Sequence, residues 1–313
     1  MKRAIALAAL IAVLGLSLAA AGYQGQAQPR ATKIRGIQKV KDNLYWIPGG
    51  DPEDRATWTG GNTAVFVTNT GVVVVDTMLA GWGHAILDQI KSVTDKPVTM
   101  LINSHTHNDH SGSNTEFPAS VEFVAHENTK ANMSKVACAP VTNCQAFKGE
   151  NAKFLPKTTF KDKMSLLDGK DRIDLYYFGR GHTNGDTWIV FPAVGAMHSG
   201  DMFARKRVPS IDVDNSGGSA VEFSQTLAKT VAGIKNVDTI VTGHSAPMTW
   251  NDLKEYADFH RDFLATAREG MKGGKSADEV ASAYKIPDKY KNYYADPQRV
   301  KANIQAIYNE LKK

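Results

Sequence analysis

Apolar and polar positions in this chain follow two periods, and the places where one gives way to the other outline a fold. Short runs of strand character come first. Residues 34–40 and 44–47 are separated by the turn pair Asp42-Asn43, and residues 63–68 face residues 71–76 across Asn69-Thr70, a hairpin signal. Val72 to Val75 has no polar position, which predicts a strand covered on both faces. Ile86, Leu87, Ile90 and Val93 recur at the spacing of an amphipathic helix over 85–93. A strand follows at 98–103, another at 121–125, and a helix at 127–136. Residues 158–203 are rich in strand-forming segments, clearest at 173–178 and 187–191. A helix over 220–234 and a strand over 237–242 come next. From residue 251 the chain is helical and polar, with breaks near Gly273-Gly274 and Pro287.

Strands followed by a helix thus occur twice, and that echo predicts two packed β layers with helices outside. The first residues carry a different message. Lys2 and Arg3 precede an apolar run from Ala4 to Ala21, with no acidic residue before Asp42. This is the pattern of a secretory signal peptide, with small residues at Ala19 to Ala21 offering a cleavage site and Ala27 a later one. The expected division is a signal peptide over 1–21, a main domain over 22–250 beginning with a polar lead-in at 23–35, and a packed helical extension over 251–313. No second long apolar stretch exists, so stable membrane insertion is not expected after cleavage, and the expected location is periplasmic or secreted.

The formal net charge of +5 is mild, and its lysines and arginines are scattered, so nucleic acid is not an expected partner; a small molecule is. The oligomeric state is left open. Cys138 and Cys144 are the only two cysteines. In an exported chain a close pair reads as a disulfide shaping a small loop, the alternative being a thiol pair on a metal.

The chemistry concentrates in His105-Thr106-His107-Asn108-Asp109-His110, directly after the apolar residues 97–102. Three of the chain's nine histidines lie here. Imidazole and carboxylate together suit zinc or iron. In extended backbone His105 and His107 face one way, while Asp109 and His110 come a turn later and reach a neighbouring ion. Other strand ends deliver Asp76, His182 in Gly-His-Thr-Asn-Gly-Asp, Asp201 in Ser-Gly-Asp and His244 in Gly-His-Ser.

This order of motifs over residues 34–250 resembles the metallo-β-lactamase superfamily. The resemblance implies an αβ/βα sandwich, here with a C-terminal helical extension, and two metal ions along one edge. Two Zn2+ are the expected cofactors, with iron or manganese compatible with the same ligands. His105, His107 and His182 would hold the first ion, and Asp109, His110 and His244 the second. Asp201 would bridge them, and Asp76 would orient the metal loop. A water ionised between the ions would attack an ester, thioester or lactone, with Asp109 also orienting it. Zinc β-lactamases of the family place Cys or Ser where this chain has Asp201, whereas a bridging Asp is typical of glyoxalase II and of lactonases. β-Lactam hydrolysis and a single-iron, persulfide dioxygenase-like oxidation are the competing expectations. Arg205, Lys206 and Arg207 follow Asp201 and are candidates for pairing with a substrate anion. Trp58 and Trp82 are candidate pocket walls. His84, His126, His198 and His260 match no ligand position and read as structural or solvent-facing.

Overall fold

A computed structural model of the chain describes residues 33–312. The expected signal peptide, its expected cleavage sites and most of the lead-in therefore lie outside the described residues. Among the described residues thirteen strands form two sheets. The first holds β1 (Gln38–Lys41), β2 (Leu44–Ile47), β3 (Thr63–Val67), β4 (Val72–Val75), β5 (Val98–Ile102), β6 (Glu122–His126) and β7 (Thr158–Phe160), paired in that order. The second runs from β13 (Met248–Thr249) through β12 (Thr239–Val241), β11 (Ala196–His198), β10 (Trp188–Phe191) and β9 (Ile173–Tyr176) to β8 (Lys163–Leu166). The helices are α1 (Gly83–Lys91), the single turn α2 (Asn108–Ser111), α3 (Glu127–Met133), the single turn α4 (Val213–Ser216), α5 (Glu222–Gly233), α6 (Trp250–Lys272), α7 (Ala277–Ala283) and α8 (Pro297–Leu311).

The expected sandwich is what the chain adopts. Phe66, Val73, Val75, Met100 and Ile102 of the first sheet meet Leu175, Ile189, Phe191 and Val241 of the second in a dry central layer. The other face of the first sheet packs Val65, Val72, Val74 and Leu101 against Ile86 and Ile90 of α1 and Met133 of α3. All four valines of β4 are buried, as a strand covered on both faces requires. The outer face of the second sheet packs Trp188, Met197 and Ile240 on α5, α6, α7 and α8 as one continuous apolar cluster that reaches Val300 and Ile304.

Strand direction decides where the chemistry gathers. β4, β5, β6 and β7 are parallel neighbours, and β11 and β12 form a parallel pair in the second sheet. Parallel neighbours end at the same edge, so Asp76, the His105–His110 segment, Asp201 and His244 leave the sheets together. The first strand is shorter than its hydropathy predicts, starting at Gln38 rather than Ile34, because Ile34 is spent in the apolar layer under α1.

The C-terminal helices start on polar caps. Thr249 and Asp252 form a reciprocal capping box on α6, as do Ser276 and Glu279 on α7, and the Asp296 side chain caps α8 ahead of Pro297. Segment 206–208 is stitched to this extension by backbone bonds, Tyr294 N–H to Lys206 O at 3.1 Å and Val208 N–H to Tyr294 O at 3.0 Å. Among the described residues no helix is long and apolar enough to cross a membrane.

Candidate metal centre

The single turn α2 begins at His107, whose backbone is extended, and this break lets the cluster face in two directions. His105, His107 and His182 form one buried triad that could hold a metal ion, and Asp109, His110 and His244 form a second triad of which only His110 is fully buried. In the first, His107 Nδ1 and His182 Nε2 lie 2.8 Å apart. In the second, His110 Nε2 and His244 Nε2 are 3.3 Å apart, with Asp109 Oδ2 at 3.7 and 3.4 Å from them. Asp201 sits between the triads. Its carboxylate approaches His182 Nε2 at 3.6 Å, His244 Nε2 at 3.2 Å and His110 Nε2 at 3.3 Å.

Apart from the 2.8 Å pair, these separations suit coordination better than hydrogen bonding. Ligand atoms about 2.0–2.1 Å from a tetrahedral ion lie about 3.3 Å from one another. Three buried atoms of the cluster, His105 Nε2, Asp201 Oδ1 and His244 Nδ1, have no hydrogen-bond partner. Orphaned acceptors in a buried site are costly unless a cation satisfies them. Backbone approach is equally tight: a Cβ on Gly61 would stand 2.2 Å from the His110 ring, and one on Gly243 2.0 Å from Asp201 Oδ1. The donor set, the orphaned atoms and this cradle all fit a pair of cations.

The far side of four of the five imidazoles is fixed, while His244 Nδ1 is buried without a partner. His182 Nδ1 faces Ser210 O at 2.7 Å, His110 Nδ1 faces Asp76 at 2.7 Å, His107 Nε2 faces Asp212 at 3.0 Å and His105 Nδ1 faces Ser104 Oγ at 3.0 Å. Partners of this kind hold a proton on the outer nitrogen and leave the inner lone pair free for an ion. Asp76 is itself held by the backbone N–H and hydroxyl of Ser104, at 2.7 and 2.6 Å.

Electrostatics divide the two triads. Burial, with repulsion from neighbouring imidazoles, pushes His105 well below its usual range and His107 below it. Burial also opposes a charge on His110, but Asp109, Asp201 and Asp76 outweigh it and raise that imidazole well above its usual range. Burial would raise Asp201, yet His244 and His110 hold its carboxyl well below the carboxylate range. Three carboxylates around one imidazole make a pocket of negative potential, which is what a cation neutralises.

A cleft of about 390 Å³ opens over this cluster. Trp58, Val141, Arg205 and Arg207 line it; Lys206 is turned onto α6, paired with Asp252 at 2.7 Å. Trp82 lies elsewhere, packed beside α1. Cys138 and Cys144 are joined in a disulfide, and the loop they close carries Val141 to the cleft. His126 stacks on Tyr177, His198 and His260 are buried and belong to neither triad, His198 Nε2 facing Asn62 O at 3.3 Å, and His84 is exposed on α1. Asp212, Tyr256 and Arg299 also line the cleft and were not singled out from sequence. Asp212 stands in Ser-Ile-Asp-Val-Asp with no flanking motif, and the other two lie in helices far along the chain.

A profile of the metallo-β-lactamase superfamily matches residues 56–244. The chain belongs to the metallo-β-lactamase superfamily. A metallo-β-lactamase type 2 from Elizabethkingia meningoseptica is 27% identical over 248 residues, 77% of this chain and 88% of that protein. A solved metallo-β-lactamase from Pontibacter korlensis superposes with a TM-score of 0.59 at 17% identity, over 73% of this chain and 99% of that one. The stereoselective inverting sec-alkylsulfatase Pisa1 from Pseudomonas sp. gives 0.65 at 18% identity, covering 88% of this chain but 50% of its own. Membership of the superfamily marks the chain as a metal-dependent hydrolase.

Proposed function

We propose that the protein is an exported hydrolase with two metal ions that cleaves an ester, thioester or lactone of a small molecule. His105, His107 and His182 would hold one ion, and Asp109, His110 and His244 the other. The observation that carries this reading is the placement of Asp201, whose carboxylate lies within 3.6 Å of imidazoles from both triads. When bound, such a pair supplies a water ionised near neutral pH and a Lewis acid for the substrate oxygen. The remaining work falls to the chain. Asp109 accepts a proton-bearing edge of the attacking water and orients it. Asp76 and Asp212 keep His110 and His107 in the binding tautomer. Trp58 and Val141 cover the approach. Zinc is the default for imidazole and carboxylate donors, and iron and manganese suit them too. The disulfide Cys138–Cys144 supports an oxidising compartment, in keeping with the signal-like first residues.

A β-lactam substrate is the second reading, favoured by the Elizabethkingia relative. The deciding experiment is metal quantitation on the purified protein, then turnover of p-nitrophenyl ester, thioester, lactone, phosphodiester and cephalosporin substrates. About two ions per chain and preference for acyl substrates are expected, and Asp201→Ala should lose metal and activity together. One iron with oxygen uptake, or full turnover by the Asp201→Ala protein, would overturn the proposal.

A further inference from the structure

The wall of the cleft beside the metal cluster carries donors that are only partly satisfied. Arg205, Arg207 and Arg299 converge there with the hydroxyl of Tyr256. Arg205 pairs with Asp51 through Nη1 at 3.0 Å, but its Nη2 is buried without a partner. Arg207 is 5% exposed; it pairs with Glu53 through Nη1, while its buried Nε has no partner. The Tyr256 side chain is fully buried, and its hydroxyl is also unpartnered. Among the described residues no carboxylate pairs with Arg299.

That arrangement is unfavourable as it stands. Burial and the nearby Arg207 together press the Arg299 guanidinium below its ordinary range. Burial, and then the Asp201 carboxylate, raise the Tyr256 phenol, so it stays protonated and can only gain by donating. Asp51 and Glu53 are more than half exposed and reach only the outer faces of two arginines. Arg205 Nη2, Arg207 Nε and the Tyr256 hydroxyl are thus left without an acceptor in the wall of one cleft. Guanidinium forks are shaped to bind oxyanions.

We infer that this wall is an oxyanion-binding subsite, and that the substrate carries a carboxylate, sulfate or phosphate group seated on Arg207, Arg299 and the Tyr256 hydroxyl while its scissile bond lies over the metal cluster. Two of the three residues come from α6 and α8, beyond residues 56–244 that match the superfamily. The C-terminal helices thereby set the substrate class. The inference rests on reading the cleft as the substrate site of a hydrolase.

The test uses the metal-loaded full chain and two matched esters, p-nitrophenyl butyrate and mono-p-nitrophenyl succinate. Arg299→Gln should lower the ratio of kcat/KM for the anionic to the neutral ester at least tenfold, mainly through KM. Tyr256→Phe removes only an oxygen without a partner, so folding is preserved and the same ratio should fall several-fold. Calorimetric titration with inorganic sulfate, inorganic phosphate and succinate distinguishes the tetrahedral from the planar anion, and binding of the preferred one should weaken at least tenfold in Arg299→Gln. If wild type turns over neither ester, the hydrolase reading is the one in trouble, and the titrations still test the subsite. An unchanged ratio in both variants, together with anion binding that Arg299→Gln leaves intact, would overturn the inference.

Discussion

Asp212 shows how much of this site depends on single side chains that no motif announces. Its carboxylate lies 3.0 Å from His107 Nε2, and its other oxygen accepts the backbone N–H of Asn215 at 3.0 Å. Burial would raise this carboxyl, but the bonds from His107, Ser216 and Asn215 win and hold it far below the carboxylate range. It is therefore charged wherever the enzyme works. Asp212→Asn keeps the shape and removes the charge, and losses for such partners run to about 10–100-fold in metal affinity or activity. Metal content after dialysis against a graded chelator, beside kcat, would reveal it; retention equal to wild type would remove Asp212 from the site. The seven clustered residues were legible because each follows an apolar strand run, and the Gly-His and Gly-Asp pairs mark sharp turns. Asp212 was not, since a polar loop with two aspartates gives no means of choosing between them. Lys206 was grouped with Arg205 and Arg207 by adjacency, and only the docking of α6 separates it from them.

At the scale of elements, strands such as β3, β4 and β5 were readable because Val-rich runs and turn pairs such as Asn69-Thr70 leave few alternatives, whereas the short β7, β8, β11 and β13 carry too few residues to stand out one by one. Which strands lie parallel was not readable, and that property gathers the site at one edge. The disulfide loop is an element of the same importance. Thr106 Oγ1 donates to Thr142 O at 2.8 Å, and Asn143 Nδ2 donates to Ser111 Oγ at 2.8 Å, so the loop braces both ends of the histidine segment. Closing so short a loop contributes about 2 kcal/mol in the chain-entropy treatment. The double variant Cys138→Ser, Cys144→Ser should thus melt earlier by a few degrees. It should also show a raised KM, since Val141 lines the cleft. Differential scanning calorimetry and steady-state kinetics would check both, and an unchanged KM would mean that the loop shapes nothing the substrate touches.

For the whole molecule, the C-terminal helices are the part whose role the sequence left open. Their breaks at Gly273-Gly274 and Pro287 were plain, but docking follows from tertiary packing. One consequence is acid sensitivity. His260 of α6 lies among Phe223, Tyr256 and Phe259, with ring centroids 4.9, 4.3 and 5.0 Å away. Burial pushes this imidazole from 6.5 down to about 3. The folded chain then refuses a proton that the unfolded chain accepts, so the stability it gives is complete above pH 6.5 and declines as pH falls towards 3. The slope from one such group is at most about 1.4 kcal/mol per pH unit. His260→Phe should flatten the fall of Tm between pH 7 and pH 4, and superimposable wild-type and variant curves would refute this.

The convergence of Asp201 and His244 from one sheet on His105, His107 and His110 from the other also sets an order of events. A polypeptide emerging from synthesis or translocation acquires its three leading imidazoles early, while the remaining donors arrive more than seventy residues later. Until both sheets have closed on each other there is only half a clasp, so cation uptake must follow folding of the sandwich rather than guide it.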